Sequence, residues 1–290
     1  MMPVDAVSLH MGLRKGIIHM AQSFSGKTVW ITGTSSGIGE TLAYEFIAEG
    51  AKLILSARRR EELLRVKNAC ISMGANDGDI LILPLDVTDE VEMPDNVKAA
   101  HSHTGQIDML INNAGISQRS LCVDTDMATY RTLFEVDVFG QIALTKMVLP
   151  IMLEQKAGHI AITSSVAGKI GVPYRTGYCA AKHAVMGFYD ALRAELAGEG
   201  IKVTTITPGF IRTNISKYAL KGDGSEFGKT DQNIAGGMDV GACGKVIMQG
   251  FRKGKPEIAV GEGREMSALW LKRLLPRRLF KMVETLPKPE

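Results

Sequence analysis

The chain has 290 residues, of which 45% are hydrophobic and 22% are charged, and its formal net charge is +3. This composition is ordinary for a soluble globular protein, and so small a charge gives no reason to expect a nucleic-acid partner. No stretch approaches the roughly 20 apolar residues of a membrane span. The four cysteines form no CxxC pair, so we expect no metal site and no disulfide framework, and a reducing, cytoplasmic location.

Residues 1–25 carry one weak apolar patch and no small-residue cleavage site, which indicates a flexible leader rather than a secretion signal. Beyond them, short apolar runs alternate with segments of helical periodicity. The apolar runs predict seven strands, at 27–33, 51–58, 79–87, 107–115, 158–165, 201–209 and 256–261. The intervening segments predict helices, including a long one from about Met127 to Gln155 and another from about Tyr178 to Gly198.

The predicted strands are continuous apolar runs, which is typical of parallel strands covered on both faces. Their alternation with helices predicts a doubly wound α/β fold, a Rossmann-type, mostly parallel seven-stranded sheet with helices on both faces. We expect one domain over residues 26–263. A polar, glycine-rich insertion at about 214–240 and a basic tail at 264–290 follow from the composition of those segments.

A glycine-rich loop, TGTSSGIG, connects the first predicted strand to the first helix. Its glycines, Gly33, Gly37 and Gly39, allow a tight turn and close approach of a ligand to the backbone. The helix start directs free N–H groups and a positive dipole end to the same place, which suits a pyrophosphate. Within a strand–turn–helix unit this pattern predicts a bound dinucleotide.

The end of the second strand should decide which dinucleotide binds. An acidic residue there would hold a ribose 2′-hydroxyl, whereas an arginine accepts a 2′-phosphate. The sequence has Arg58, Arg59 and Arg60 and no acid at the strand tip. We assign the phosphate to Arg58, interpret Arg59 and Arg60 as the solvated start of a helix, and therefore predict NADP(H).

Three polar side chains at the carboxyl edge of the sheet suggest acid–base chemistry. Tyr178 and Lys182 are four apart and share a helix face, and Ser165 ends the preceding strand. An unaided tyrosine titrates near ~10, and a neighbouring ammonium favours its phenolate. A serine hydroxyl can hold a carbonyl oxygen during hydride transfer.

Together these motifs resemble the short-chain dehydrogenase/reductase family, and most closely its branch that includes 11β-hydroxysteroid dehydrogenase. The resemblance covers roughly residues 26–261 and rests on TGTSSGIG, DVTD, NNAG, Ser165, YCAAK and PGFIRT. It implies an NADP(H)-dependent oxidoreductase of a carbonyl or secondary alcohol, on a fairly apolar small molecule, in a homo-oligomer. It also implies that residues 214–240 form a lid over the substrate.

The resemblance further implies individual roles. Tyr178 would be the general acid–base, Lys182 would hold the nicotinamide ribose and make Tyr178 more acidic, and Ser165 would orient the substrate oxygen. The cofactor would also contact a set of residues along the sheet edge: Ser35, Ser36 and Ile38 of the glycine loop, Asp86, Val87, Asn113, Ala114, Gly115, Pro208, Gly209, Ile211 and Thr213.

One position departs from the family pattern. The family usually has asparagine in an NxxG stretch of the long central helix, where this chain has Asp137 in DVFG. We expect Asp137 to lie near Lys182, linked directly or through a water, and to displace the pH optimum of oxidation upward. The alternative is that its side chain bonds neighbouring backbone and only its carbonyl serves the site. The substitution also leaves open a nucleotide-binding sensor or scaffold with little turnover.

The C-terminal tail combines Trp270, Leu274 and Phe280 with five basic residues. Such a segment is typical of a peripheral membrane contact, but also of an arm that packs on its own domain or on a partner subunit. Pro276 should break or kink it.

Overall fold

The computed structural model describes residues 23–286, so most of the predicted leader and the last four residues of the tail lie outside the described residues. Seven strands form one sheet: β1 (Thr28–Thr32), β2 (Lys52–Ser56), β3 (Ile80–Ile82), β4 (Met109–Asn112), β5 (Gly158–Thr163), β6 (Ile201–Pro208) and β7 (Glu257–Val260). Their order is β3-β2-β1-β4-β5-β6-β7. Each neighbouring pair is parallel, which confirms the predicted fold class.

Ten α-helices connect and flank these strands in the described part of the chain. They are α1 (Gly37–Ala48), α2 (Arg60–Ser72), α3 (Met93–Thr104), α4 (Met127–Phe134), α5 (Gly140–Gln155), α6 (Thr176–Glu195), α7 (Gln232–Ala235), α8 (Val240–Arg252), α9 (Glu265–Leu274) and α10 (Pro276–Glu284).

The sheet separates two hydrophobic layers because successive side chains of a strand point to opposite faces. In β1, Val29 and Ile31 join the layer built with α1, α2 and α8, whereas Trp30 joins the layer built with α3, α5 and α6. This arrangement directs the carboxyl ends of all seven strands to one edge, where ligands of open α/β sheets bind.

Two boundaries differ from the prediction. The third strand was predicted over 79–87, but β3 ends at Ile82, and Pro84 follows it on this edge strand. Leu83 and Leu85 still donate to Leu55 and Ala57 of the neighbouring segment, at 3.0 and 3.1 Å. The core also extends to before residue 26, since the buried Phe24 packs on Phe46 with the ring centroids 5.0 Å apart.

The long central helix predicted over 127–155 is present, but a π-helical turn at Glu135–Phe139 separates α4 from α5. A π turn inserts one extra residue and changes which side chains face inward. Asp137 lies in this turn and is buried.

This central helix is also long and apolar enough to cross a bilayer, which corrects the expectation that no stretch approaches a membrane span. In the fold, however, its buried residues Leu144, Val148 and Met152 pack under the sheet. It is therefore a core helix in this structure.

The C-terminal tail forms two helices, and Pro276 begins the second, as its fixed φ favours at a helix start. Ala268 and Leu279 are buried against Val166 and Ile170, which follow β5. The tail therefore packs beside the sheet edge that carries the predicted catalytic residues.

Candidate active site

A cavity of about 780 Å³ lies at the carboxyl edge of the sheet. Ser165, directly beyond β5, and Tyr178, in the first turn of α6, both line it. Lys182 follows one turn later, and its ammonium lies 5.7 Å from the centroid of the Tyr178 ring. The fold thus brings together the three side chains that the sequence singles out.

Lys182 and Asp137 form a buried ion pair. The ammonium Nζ lies 3.3 Å from Asp137 Oδ2, and the two side chains are 4% and 0% exposed. Lys182 also donates a hydrogen bond to the carbonyl of Thr163, at 3.2 Å. The expected proximity of Asp137 to Lys182 is confirmed, and the contact is direct.

Asp137 also accepts a hydrogen bond from the backbone of a distant segment, so the alternative of a purely local side-chain bond is wrong. Oδ1 accepts a hydrogen bond from the N–H of Ile116 at 2.8 Å, while Oδ2 faces Lys182. Burial raises the pKa of the Asp137 carboxyl above its ordinary value, and the lysine ammonium and the Ile116 N–H oppose that rise.

Two glycines lie in tightly packed positions, one against the ion pair and one against the loop after β3. A Cβ at Gly115 would lie 3.0 Å from Asp137 Oδ1 and 3.2 Å from Lys182 Nζ. A Cβ at Gly140 would come within 2.2 Å of the carbonyl oxygen of Val87. Close backbone packing therefore requires the glycine of DVFG, and a larger residue at the glycine of NNAG would crowd the ion pair.

Gln118 supports the catalytic helix, although no local sequence signal identifies it. Its buried side-chain oxygen accepts hydrogen bonds from the N–H groups of Gly177 and Tyr178, at 2.7 and 3.3 Å. Arg175 at the N-cap of α6 makes no side-chain cap bond, so Gln118 supplies the cap from another loop. Gln118 in turn donates to Ser120 and Thr125, which fixes its amide.

The glycine loop is bound to the fourth strand by a hydrogen-bond network. The hydroxyl of Thr32 accepts from the N–H groups of Asn113 and Ala114, both at 3.0 Å. The Asn113 amide donates to the Thr32 carbonyl at 3.1 Å and accepts from the Thr163 hydroxyl at 3.1 Å. This network fixes the positions of Gly33 and Gly39 relative to the NNAG segment.

The residues at this edge fit a dinucleotide. Ser36 at the N-cap of α1 makes no side-chain cap bond, which leaves N–H groups of the first turn available to a pyrophosphate. A second cleft of about 560 Å³ adjoins the glycine loop, and Thr213 lines both this cleft and the large cavity. The predicted cofactor residues at the large cavity are Ile38, Pro208, Gly209, Ile211 and Thr213, and those at the second cleft are Ser35, Ser36, Gly37 and Thr213.

Asp86 and Val87 lie in the loop after β3. Asp86 Oδ1 accepts hydrogen bonds from both the N–H and the hydroxyl of Thr88, at 3.0 and 2.8 Å. The Val87 side chain is buried. The DVTD motif therefore forms its own turn, and its predicted contact with adenine stays a prediction.

The second cleft is basic. Arg58 is exposed at the end of β2, and Arg59 lines the cleft. Two further arginines of the cleft are already engaged, since Arg65 pairs with Glu40 at 2.6 Å and Arg212 with Asp239 at 3.1 Å. Among the described residues, Arg58 and Arg59 form no ion pair.

Comparison with known proteins agrees with this geometry. A model of the short chain dehydrogenase family matches residues 27–223. The human protein named dehydrogenase/reductase SDR family member 7 is 42% identical over 250 residues, which cover 86% of this chain and 74% of that protein. A Drosophila melanogaster protein named dehydrogenase/reductase SDR family protein 7-like is 40% identical, over 88% of this chain and 78% of its own length.

Solved structures show the same fold. A short chain dehydrogenase/reductase from Burkholderia phymatum, crystallised in complex with NAD, superposes with a TM-score of 0.78 at 22% identity, over 93% of this chain and 98% of its own. A short-chain dehydrogenase from Streptomyces avermitilis superposes with a TM-score of 0.76 at 29% identity, over 91% and 97%.

The buried ion pair generates a prediction for Asp137→Asn. Without the anion, the Lys182 ammonium is no longer partly neutralised and favours the Tyr178 phenolate more strongly. The basic-side pH profile of alcohol oxidation should then shift to lower pH, by about one to two pH units before screening. Profiles measured for the wild type and the variant would overlay if the carboxylate were electrostatically silent, and thermal melting of both proteins controls for loss of fold.

Proposed function

Because the chain belongs to the short-chain dehydrogenase family, and so is an oxidoreductase with a nicotinamide cofactor, we propose that it transfers a hydride between NADP(H) and an apolar carbonyl compound or alcohol. The observation that carries this proposal is that Ser165 and Tyr178 line the same cavity, and that Lys182, one helical turn after Tyr178, is ion-paired with Asp137. The bound nicotinamide would supply or accept the hydride.

The protein's own groups supply the remaining chemistry. In reduction, the phenol of Tyr178 gives its proton to the carbonyl oxygen as negative charge develops there. The Ser165 hydroxyl donates a hydrogen bond to the same oxygen and orients it. The Lys182 ammonium stabilises the phenolate that remains. Asp137, Thr163 and Gln118 act through these groups, because they hold the lysine and the helix start in place.

The cavity supports an apolar substrate body. Much of its wall consists of aliphatic and aromatic side chains: Val166, Ile170, Val172, Ile215, Phe227 and Ile234. Three of these, at positions 215, 227 and 234, belong to the glycine-rich segment 214–240. Their position in the cavity wall supports the assignment of that segment as a substrate lid.

The basic second cleft supports NADP(H) over NAD(H). A 2′-phosphate is a dianion that needs cations without other partners, and Arg58, Arg59 and Arg60 form no ion pair in the described chain, whereas Arg65 and Arg212 do. Arg58 lies two residues beyond the end of β2, and its neighbour Arg59 lines the cleft. We assign the phosphate to Arg58, with Arg59 as its neighbour.

The outer face of the C-terminal helices supports a peripheral membrane contact. Trp270 and Leu274 are 70% and 68% exposed on α9, one helical turn apart. Basic residues surround them, and the ammonium of Lys272 lies 4.6 Å from the centroid of the Phe280 ring. Exposed aromatic and basic side chains together suit an anionic lipid surface. A second copy of the chain is the competing occupant of this face.

The proposed chemistry predicts the outcome for Tyr178→Phe. This variant keeps the ring but loses the proton donor, so NADPH consumption with aliphatic and aromatic aldehydes and ketones should fall at least about 100-fold. Cofactor affinity, measured by fluorescence of bound NADPH, should change little. If no carbonyl compound separates the variant from the wild type, the chain is instead a nucleotide-binding protein with little turnover.

For the cofactor, Arg58→Ala should weaken NADPH binding by about tenfold to 100-fold, because one charge-assisted hydrogen bond to phosphate is lost. NADH binding should stay the same. Arg59→Ala tests the neighbouring arginine, and Arg60→Ala, on the exposed start of α2, is the matched control. Equal affinity of the wild type for NADH and NADPH would contradict the assignment.

The membrane contact is tested by flotation of the full chain with phosphatidylserine vesicles. The wild type should float, and the double variant Trp270→Ser/Leu274→Ser should stay in solution. Val91→Ser, which removes another exposed apolar side chain, should float like the wild type. If the wild type does not float, and the double variant alters its oligomeric state in gel filtration, the face binds a second copy.

A further inference from the structure

Two arginines form part of the wall of the large cavity. Arg119 lies in the loop after β4, and Arg175 lies directly before α6. Their side chains are 9% and 13% exposed. Both line the cavity together with Ser165 and Tyr178. Two buried cations thus lie in the wall of the compartment where the substrate would be reduced.

Only one carboxylate among the described residues serves this pair. Asp231 Oδ2 contacts Arg119 and lies 3.8 Å from Arg175 Nη2. Asp231 Oδ1 already accepts hydrogen bonds from the N–H groups of Asn233 and Ile234, at 2.8 and 3.3 Å, and so caps α7. The group of two arginines and one aspartate therefore carries a net charge of +1.

Several N–H donors of the two guanidinium groups have no hydrogen-bond acceptor among the described residues. A guanidinium has five N–H donors, and burial of a donor without a partner is unfavourable. Arg119 Nε is buried and has no hydrogen-bond partner in the described structure. The Arg175 guanidinium makes no hydrogen bond to a described residue beyond its long ion pair. Burial lowers the pKa of Arg119 to about 10, which still leaves it cationic at neutral pH.

The other charged groups of the cavity do not neutralise this excess. Glu265 also lines the cavity, but its Oε1 accepts a hydrogen bond from the N–H of Phe210 at 3.1 Å, and it forms no ion pair with either arginine in the described structure. Lys229 adds a further cation but is exposed. The arginine side of the cavity is thus cationic, and it lies beside an apolar wall.

The backbone next to Arg175 is also strained. Tyr174 has a φ of 63°, in the left-handed region that a bulky side chain rarely adopts. Its carbonyl accepts a hydrogen bond from the Ser120 N–H at 3.1 Å, which ties this turn to the Arg119 loop. Strained conformations of this kind persist at sites where they position a functional group. Here the strained residue lines the same cavity and directly precedes Arg175.

We propose that the substrate carries a carboxylate, bound by Arg175 and Arg119, and that an apolar body joins this carboxylate to the carbonyl that Ser165 and Tyr178 hold. A carboxylate matches the planar fork of a guanidinium and would neutralise the excess charge. The inference rests on the proposed oxidoreductase function and specifies its substrate class as apolar oxo acids.

The test compares straight-chain aldehydes of eight to twelve carbons that end in a carboxylate with their methyl esters, in NADPH consumption. For the wild type, kcat/KM of the acid should exceed that of its ester by at least tenfold at one chain length. Arg175→Gln should remove most of this preference, and Arg175→Lys should restore part of it. Lys229→Gln, a matched change of an exposed cavity cation, should keep the preference.

Equal turnover of acid and ester by the wild type would overturn the inference while the proposed function stands. An acid preference that survives in Arg175→Gln would also overturn it, as would a loss of turnover that is the same for acid and ester, which would mean that the arginines only secure the lid.

A second measurement does not depend on turnover. In the presence of NADP, octanoate should raise the Tm of the wild type more than 1-octanol does, and Arg175→Gln should lose this difference. If neither aldehyde class is reduced but this difference is present, the proposed reaction fails and the carboxylate site stands. If octanoate and 1-octanol act alike on the wild type, the carboxylate site fails.

Discussion

The buried pair of Lys182 and Asp137 is the interaction around which the active site is arranged. Neither side chain reaches solvent, so each charge needs the other, and loss of one partner of such a pair typically costs about 3–5 kcal/mol. The pair joins three segments, because Asp137 comes from the π turn, Lys182 from α6, and the Ile116 N–H from the loop after β4. A pair of this kind fixes geometry more than it adds net stability.

The loop after β4 connects this pair to every other part of the site. Asn113 and Ala114 bond the glycine-loop strand, Gly115 packs on the ion pair, and Gln118 caps the helix that carries Tyr178. Arg119 then contacts the segment 214–240 through Asp231. The parallel sheet makes this possible, because the loop leaves a central strand at the edge where all the other carboxyl ends meet.

The site has two chemically different halves. The proposed cofactor half consists of helix N–H groups, glycines and arginines that form no ion pair among the described residues, all of which suit phosphates. The proposed substrate half consists of aliphatic side chains with a cationic corner at Arg119 and Arg175. Ser165 and Tyr178 line the large cavity, which Thr213 connects to the second cleft, and the C-terminal helices pack beside Ser165 through Val166 and Ile170. A membrane or a second chain that binds α9 and α10 would therefore lie close to the large cavity.

The sequence by itself determined the fold class, the glycine loop and the set of Ser165, Tyr178 and Lys182, because these depend on periodicity and short spacings within one segment. It also indicated that Asp137 would lie near Lys182, although not that a π turn would aim one oxygen at the lysine and the other at Ile116. Only the tertiary structure assigned Gln118 to the start of α6 and placed Asp231 between two arginines. Each of these contacts joins segments far apart in the chain. Its energy depends on the burial of the two groups and on the distance between them, and the residues next to each group in the sequence indicate neither.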